Sequence, residues 1–152
     1  MQGQSDLLRI EREQIGLLVS ALNSCRYCIA KQNEVLTSLG DEKLIIRTLS
    51  VGSLEGIDCK RRPLYEYVAK LTLSMERIRP SEIDAVYAVG WSDEAIEDAV
   101  CVASLFGQLN MLASGLGFGT SIPSAIRGED VHGETASGEA LLELADQAMP
   151  SR

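Results

Sequence analysis

Apolar positions along the chain fall at helical spacings, and no stretch alternates in the way a strand requires. From Ser5 to about Leu22 the residues Leu7, Leu8, Ile15, Leu18, Val19 and Leu22 recur every three or four positions, predicting a helix with Ser5 or Asp6 as its N-cap. Asn23-Ser24 interrupts it and is placed to cap a second helix, Cys25 to about Leu39, stopped by Gly40. Asp41 heads a short third helix through Leu44, Ile45, Ile46 and Leu49, and Gly52 and Gly56 mark the loop that follows. Pro63 suits the first turn of a fourth helix with Leu64, Val68, Leu71 and Met75 on its inner stripe, and Pro80 ends that unit. Ser81-Glu82-Ile83-Asp84 reads as a capping box for a fifth helix that stops at Gly90. Ser92, followed by Asp93 and Glu94, opens a sixth helix running to about Leu116. Its second half is apolar on nearly every side, which predicts a central position or a subunit contact.

Beyond residue 118 the pattern changes. Gly119, Pro123, Gly128, Gly133 and Gly138 punctuate a polar stretch, with a last short helix expected from Ser137 to Met149. The organisation expected is therefore an all-α domain over residues 1–118, an antiparallel bundle of about six helices, and a Gly-rich C-terminal arm over 119–152 that packs on a neighbouring subunit.

Composition narrows the function classes. The 152 residues are 45% hydrophobic but only 5% aromatic, so the core is aliphatic. A net charge of −8 argues against nucleic acid or an anionic membrane as partner. No apolar run is expected to span a bilayer, and Met1 to Asp6 has neither the basic nor the apolar region of a signal peptide. A cytoplasmic protein is the expectation, and in that reducing compartment four cysteines do not read as a disulfide framework.

Cys25-Arg26-Tyr27-Cys28 is the most informative segment. Two thiols three residues apart at a helix start share a face, and the free N–H groups, the dipole and Arg26 favour a thiolate there. A nucleophilic thiolate with a resolving partner can cycle between dithiol and disulfide. Three other readings compete with it. Zinc needs two more ligands, and Cys59, Cys101 and His132 are single and far apart. Two small buried core residues are a plain alternative. A thioredoxin-type site needs a sheet, which the pattern does not offer. Glu13, on the preceding helix, would be brought near the thiols by a hairpin and could relay a proton, against the plainer reading of a solvated surface glutamate. Elsewhere, Cys101 is expected in the core, Trp91 at a helix junction, and Asn110 as a buried structural polar group. Cys59 lies beside a solvated basic cluster of Lys60, Arg61 and Arg62, and Glu129, Asp130 and Glu134 are read as solvated.

Arg12-Glu13 followed by Val19-Ser20-Ala21-Leu22-Asn23-Ser24-Cys25-Arg26-Tyr27-Cys28-Ile29-Ala30 resembles the signature of the alkylhydroperoxidase D-like family, within the carboxymuconolactone decarboxylase superfamily and its peroxidase-related branch. Tyr67 to Thr72, Val89 to Asp93, and Asn110 to Gly117 follow in the order the family would show, so the resemblance spans about residues 11 to 117. It implies an all-helical fold, assembly as a dimer, trimer or hexamer, and a thiol peroxidase or disulfide reductase activity without a bound cofactor. Carried over, Cys28 attacks the hydroperoxide, Cys25 resolves it, and Glu13 relays the proton. The reductant implied is a dithiol on a lipoylated or thioredoxin-like protein. The family's histidine, four residues after the second cysteine, is Gln32 here, and glutamine cannot carry a proton near neutral pH. That departure favours, as rival readings, a catalytically degenerate oligomeric scaffold or a carboxymuconolactone decarboxylase-like enzyme, although the intact thiol pair speaks for redox chemistry. His132, in the tail, is not expected to replace the missing histidine. Related chains carry a helical segment before the Glu13 helix, so either the start is truncated or the arm fills that surface.

Overall fold

The computed structural model of the chain describes residues 6–119, and among them all regular structure is helical. The elements are α1 (Arg9–Leu22), α2 (Arg26–Ser38), α3 (Lys43–Ser50), α4 (Arg61–Ser74), α5 (Pro80–Ala88) and α6 (Asp93–Gly115), with a single 3₁₀ turn, Met75–Arg77, after α4. Apart from Gly119, the expected arm with its Ser137–Met149 helix, His132 and the acidic tail residues lies outside the described residues.

The centre of the bundle is α1, which packs against α2, α3, α4 and α6. Gln14 to Ser20 are buried without a break, so this helix is enclosed on every side over its second half. Ile15, Leu17, Leu18 and Val19 are each fully buried, and each contributes about 1.5–3 kcal/mol of apolar burial. Gly16 permits the closest approach: a Cβ there would lie 2.5 Å from the Phe106 ring of α6. The α6 helix, expected to be central or at a subunit contact, is enclosed on one side only among the described residues. Val102, Ala103, Phe106, Asn110 and Ala113 face inward, whereas Met111, Leu112 and Leu116 are exposed. Cys101, expected in the core, is exposed for the same reason: it falls on the outer face of α6. With 23 residues, α6 also has the length and apolar composition of a membrane span, contrary to the expectation that no run approaches one. In this chain it lies against α1, α2 and α4.

Several helix starts differ from the expected ones, each because a competing acceptor or donor is better placed. Asp6 does not cap α1; its carboxylate accepts from the Ser92 hydroxyl at the start of α6. Instead Glu11 reaches back to accept the Leu8 N–H at 2.8 Å, so α1 begins at Arg9. Asp41 does not cap α3, which begins after Glu42; one Asp41 oxygen accepts the Glu42 N–H and the other the Gln14 amide at 2.7 Å. Pro80, expected to end a unit, is the first residue of α5, and Glu82 accepts the Arg79 N–H at 2.6 Å in place of a Ser81 cap. Ser92 caps α6 as expected, accepting the Ala95 N–H at 3.1 Å. Trp91 is buried at the junction of α4 and the α5–α6 turn, donating its indole N–H to the Lys60 carbonyl at 2.8 Å.

Candidate active site

The α1–α2 elbow carries the thiol pair. Asn23 closes α1 by donating to the Val19 carbonyl, and Ser24 then takes a left-handed backbone, φ +56°. That conformation is unfavourable for a residue with a Cβ and is held here by its surroundings. Cys25, not Asn23 or Ser24, is the N-cap residue of α2; its own N–H donates to the Ser20 carbonyl at 2.9 Å. Cys28 sits in the first turn of α2, so both sulfurs lie at the joint of the two helices. They are 4% and 8% exposed and pack with Ala113 of α6, Tyr27 and Phe118.

Neither cysteine forms a disulfide. The helix start does not produce the expected thiolate. Burial, and then the hydrogen bond and charge of the neighbouring Cys25, push the Cys28 thiol up from 9.0 to about 12. Desolvation of the charged form outweighs the help given by the backbone at the end of α2.

Because α2 folds back along α1, Gln32, one turn after Cys28, meets Glu13. The Gln32 amide donates to the Glu13 carboxylate at 2.8 Å and to the Glu13 backbone carbonyl at 3.2 Å. Glu13 is half-buried rather than a free surface carboxylate, and Gln32 is buried. The structure thus sets Cys25 and Cys28 at the elbow and the Glu13–Gln32 pair one turn along α2 from Cys28. Both Gln32 contacts use its N–H groups, so the amide fixes the carboxylate and does not conduct a proton from it.

Cys59 and Cys101 lie elsewhere, both exposed. The bases around Cys59 are not a loose solvated cluster. Lys60 lies over the Trp91 ring at 4.6 Å, Arg61 pairs with Asp58 and donates to Gln14 at 2.9 Å, and Arg62 reaches the Ile57 carbonyl. Among the described residues no three His, Cys, Asp or Glu side chains gather in a way that would hold a metal ion.

Three residues at or beneath the site escaped the sequence reading. Ser20 donates to Asn110 at 3.0 Å, and Asn110, read as a structural polar group, is buried with its amide nitrogen unpartnered among the described residues. Gln14, fully buried, accepts from Tyr65 at 2.6 Å as well as from Arg61. Phe118 stacks on Tyr27 with ring centroids 5.4 Å apart. Its signal was available: one of only two phenylalanines in the chain stands between two glycines.

No protein-family model and no curated protein matches the chain. Solved structures do. An uncharacterized peroxidase-related protein from Silicibacter sp. TM1040 superposes with a TM-score of 0.71 at 27% identity, over 76% of this chain and 61% of the other. The alkylhydroperoxidase D core of an uncharacterized peroxidase-related protein from Ralstonia eutropha JMP134 gives a TM-score of 0.71 at 24% identity, with the same coverage of 76% and 61%. The chain spans about three fifths of the length of these proteins, 61% of each. In fold the chain is similar to these alkylhydroperoxidase D-like, peroxidase-related proteins.

Proposed function

We propose that the chain is a thiol-dependent peroxidase or disulfide oxidoreductase that reduces alkyl hydroperoxides. The observation that carries this reading is the buried Cys25–Cys28 pair at the α1–α2 elbow, with Glu13 held by Gln32, the residue one turn along α2 from Cys28. Cys28, once deprotonated, attacks the distal peroxide oxygen. The O–O bond breaks, the sulfur becomes a sulfenic acid, and the alkoxide leaves as the alcohol after taking a proton. The Cys25 sulfur then displaces hydroxide from that sulfenic acid, forming the disulfide and water. A dithiol reductant, on a lipoylated or thioredoxin-like protein, becomes a disulfide itself and restores both thiols. No bound cofactor enters this sequence. Glu13 supplies the base near the pair, and Gln32 holds it in place. The reading includes a homo-oligomer and a cytoplasmic setting; the exposed apolar face of α6 at Met111, Leu112 and Leu116 supports the first.

The raised Cys28 pKa and the glutamine at position 32 favour a second reading, a scaffold whose pair no longer turns over. Peroxide consumption with a dithiol separates the two. Under the proposal, wild type consumes an organic hydroperoxide, Cys28→Ser abolishes the activity and Cys25→Ser accumulates sulfenic acid. Gln32→His raises turnover by restoring a proton carrier. Equal consumption by wild type and Cys28→Ser removes the peroxidase reading.

A further inference from the structure

We propose that Phe118 controls access to the thiol pair, as an aromatic cover on Tyr27 that must move before an oxidant or reductant touches sulfur. The inference rests on the reading of Cys25 and Cys28 as the reactive site, and adds how that site is gated.

Both sulfurs are nearly closed off, at 4% and 8% exposure, yet both have to be approached from outside in any thiol–disulfide cycle. The groups that close them differ in how firmly they are held. Ala113 is fully buried within α6, and Tyr27 lies within the first turn of α2, between the two cysteines. Ala113 cannot move without α6, and the Tyr27 ring is itself stacked on Phe118. Phe118 stands beyond α6, on a turn. Its backbone N–H donates to the Ala113 carbonyl at 2.8 Å, and its ring lies on Tyr27 at 5.4 Å with the planes inclined by 29°.

The backbone on either side suits a hinge. Gly117 and Gly119 both have left-handed conformations, φ +74° and φ +72°, which only glycine adopts without strain. At Gly119 there is a second reason for glycine: a Cβ would lie 3.1 Å from the Tyr27 Cβ. Swinging Phe118 away gives up its stack on Tyr27 and its backbone hydrogen bond to Ala113 while α6 stays intact. The aromatic cover is thus a wall of the site that opens without moving a core helix.

The test measures access directly. In a reduced Cys59→Ser/Cys101→Ser background only Cys25 and Cys28 remain to react, since the chain has four cysteines. Their modification is followed with dithiobis(nitrobenzoate), a bulky disulfide, and with iodoacetamide, a small alkylating agent. Phe118→Ala is expected to raise the rate with the bulky reagent about tenfold or more, and the rate with the small one by much less. Phe118→Leu should fall between Phe118→Ala and the parent. Leu73→Ala, which trims an exposed apolar side chain on α4 away from the pair, should leave both rates at the parental value. Unchanged rates in Phe118→Ala overturn the proposal, as does equal acceleration by Leu73→Ala, which would mean general loosening. Labelling needs no peroxide turnover. A chain without peroxidase activity that still shows the size-dependent acceleration therefore keeps the cover and loses the peroxidase reading.

Discussion

The helices α1 and α6 invert what their compositions suggest. Over its second half α6 is apolar on nearly all sides, yet Met111 is 76% exposed and Leu112 and Leu116 lie open beside it. The α1 helix carries Arg9, Glu11, Arg12, Glu13, Gln14 and Ser20, yet runs buried from Gln14 to Ser20. What distinguishes them is the number of neighbours and the fate of the polar groups. Four helices surround α1, and its buried amide is fully employed: Gln14 donates to Asp41 and accepts from Arg61 and Tyr65. A polar side chain goes inside when its partners are already there. An apolar one stays outside where none of the described elements lies over it, and such a face can be covered by another molecule.

The contrast can be tested, beginning where the two helices meet. At Cys28, packed beside Ala113, burial raises the thiol pKa to about 12, so only a small thiolate fraction exists at neutral pH. Peroxide consumption should climb about tenfold per pH unit through the alkaline range, with no plateau near neutrality. A plateau at pH 7 would show that the pair is less desolvated than its exposure implies. The same group ties stability to pH. Its folded pKa lies above the ordinary 9.0, so the contribution is complete below that value and is lost as pH rises toward 12. Denaturant midpoints measured across that range should fall, less so in Cys28→Ser.

The packing predictions follow in decreasing size. Gly16→Val drives a side chain into the Phe106 ring and should destabilise the chain by about 3 kcal/mol in chemical unfolding. Gln14→Leu leaves Asp41, Arg61 and Tyr65 without their shared partner and should cost about 2 kcal/mol. The equivalent glycine on the other helix behaves in the opposite sense. Gly107 has nothing within 4 Å of an added Cβ, so Gly107→Ala should stabilise by about 0.5–1 kcal/mol through helix propensity alone. If Gly16→Val and Gly107→Ala had similar effects, the difference in enclosure between α1 and α6 would be lost.

These particulars show why some of the molecule could be read from the chain and some could not. Helix identity was legible because the three-to-four spacing and the stops at Gly40 and Gly90 are local signals, and both glycines take left-handed backbones. Helix starts were less legible, since caps compete for distant partners: Asp6 is drawn to Ser92 and Asp41 to Gln14. Spacing also shows which side of a helix is apolar without showing how many neighbours cover it, which is why Cys101 was misplaced. At the elbow, the closeness of Cys25 and Cys28 was legible from their separation, and the hairpin supplies the contact of Glu13 with Gln32. The sign of the Cys28 shift was not. The favourable backbone at a helix start can be seen in sequence, but the burial that outweighs it comes from Ala113, Tyr27 and Phe118.

Ser24 gives the elbow an unusual mechanical character. A serine held at φ +56° joins two helices with almost no intervening chain, and Cys25 is already bonded back to the Ser20 carbonyl. The joint therefore has no slack to take up when sulfur meets sulfur. Closing and reopening that bond must be absorbed by side-chain torsions or transmitted as load along α1, the one helix every large neighbour leans on. A covalent event at the rim would thus be felt first by the most tightly held part of the bundle.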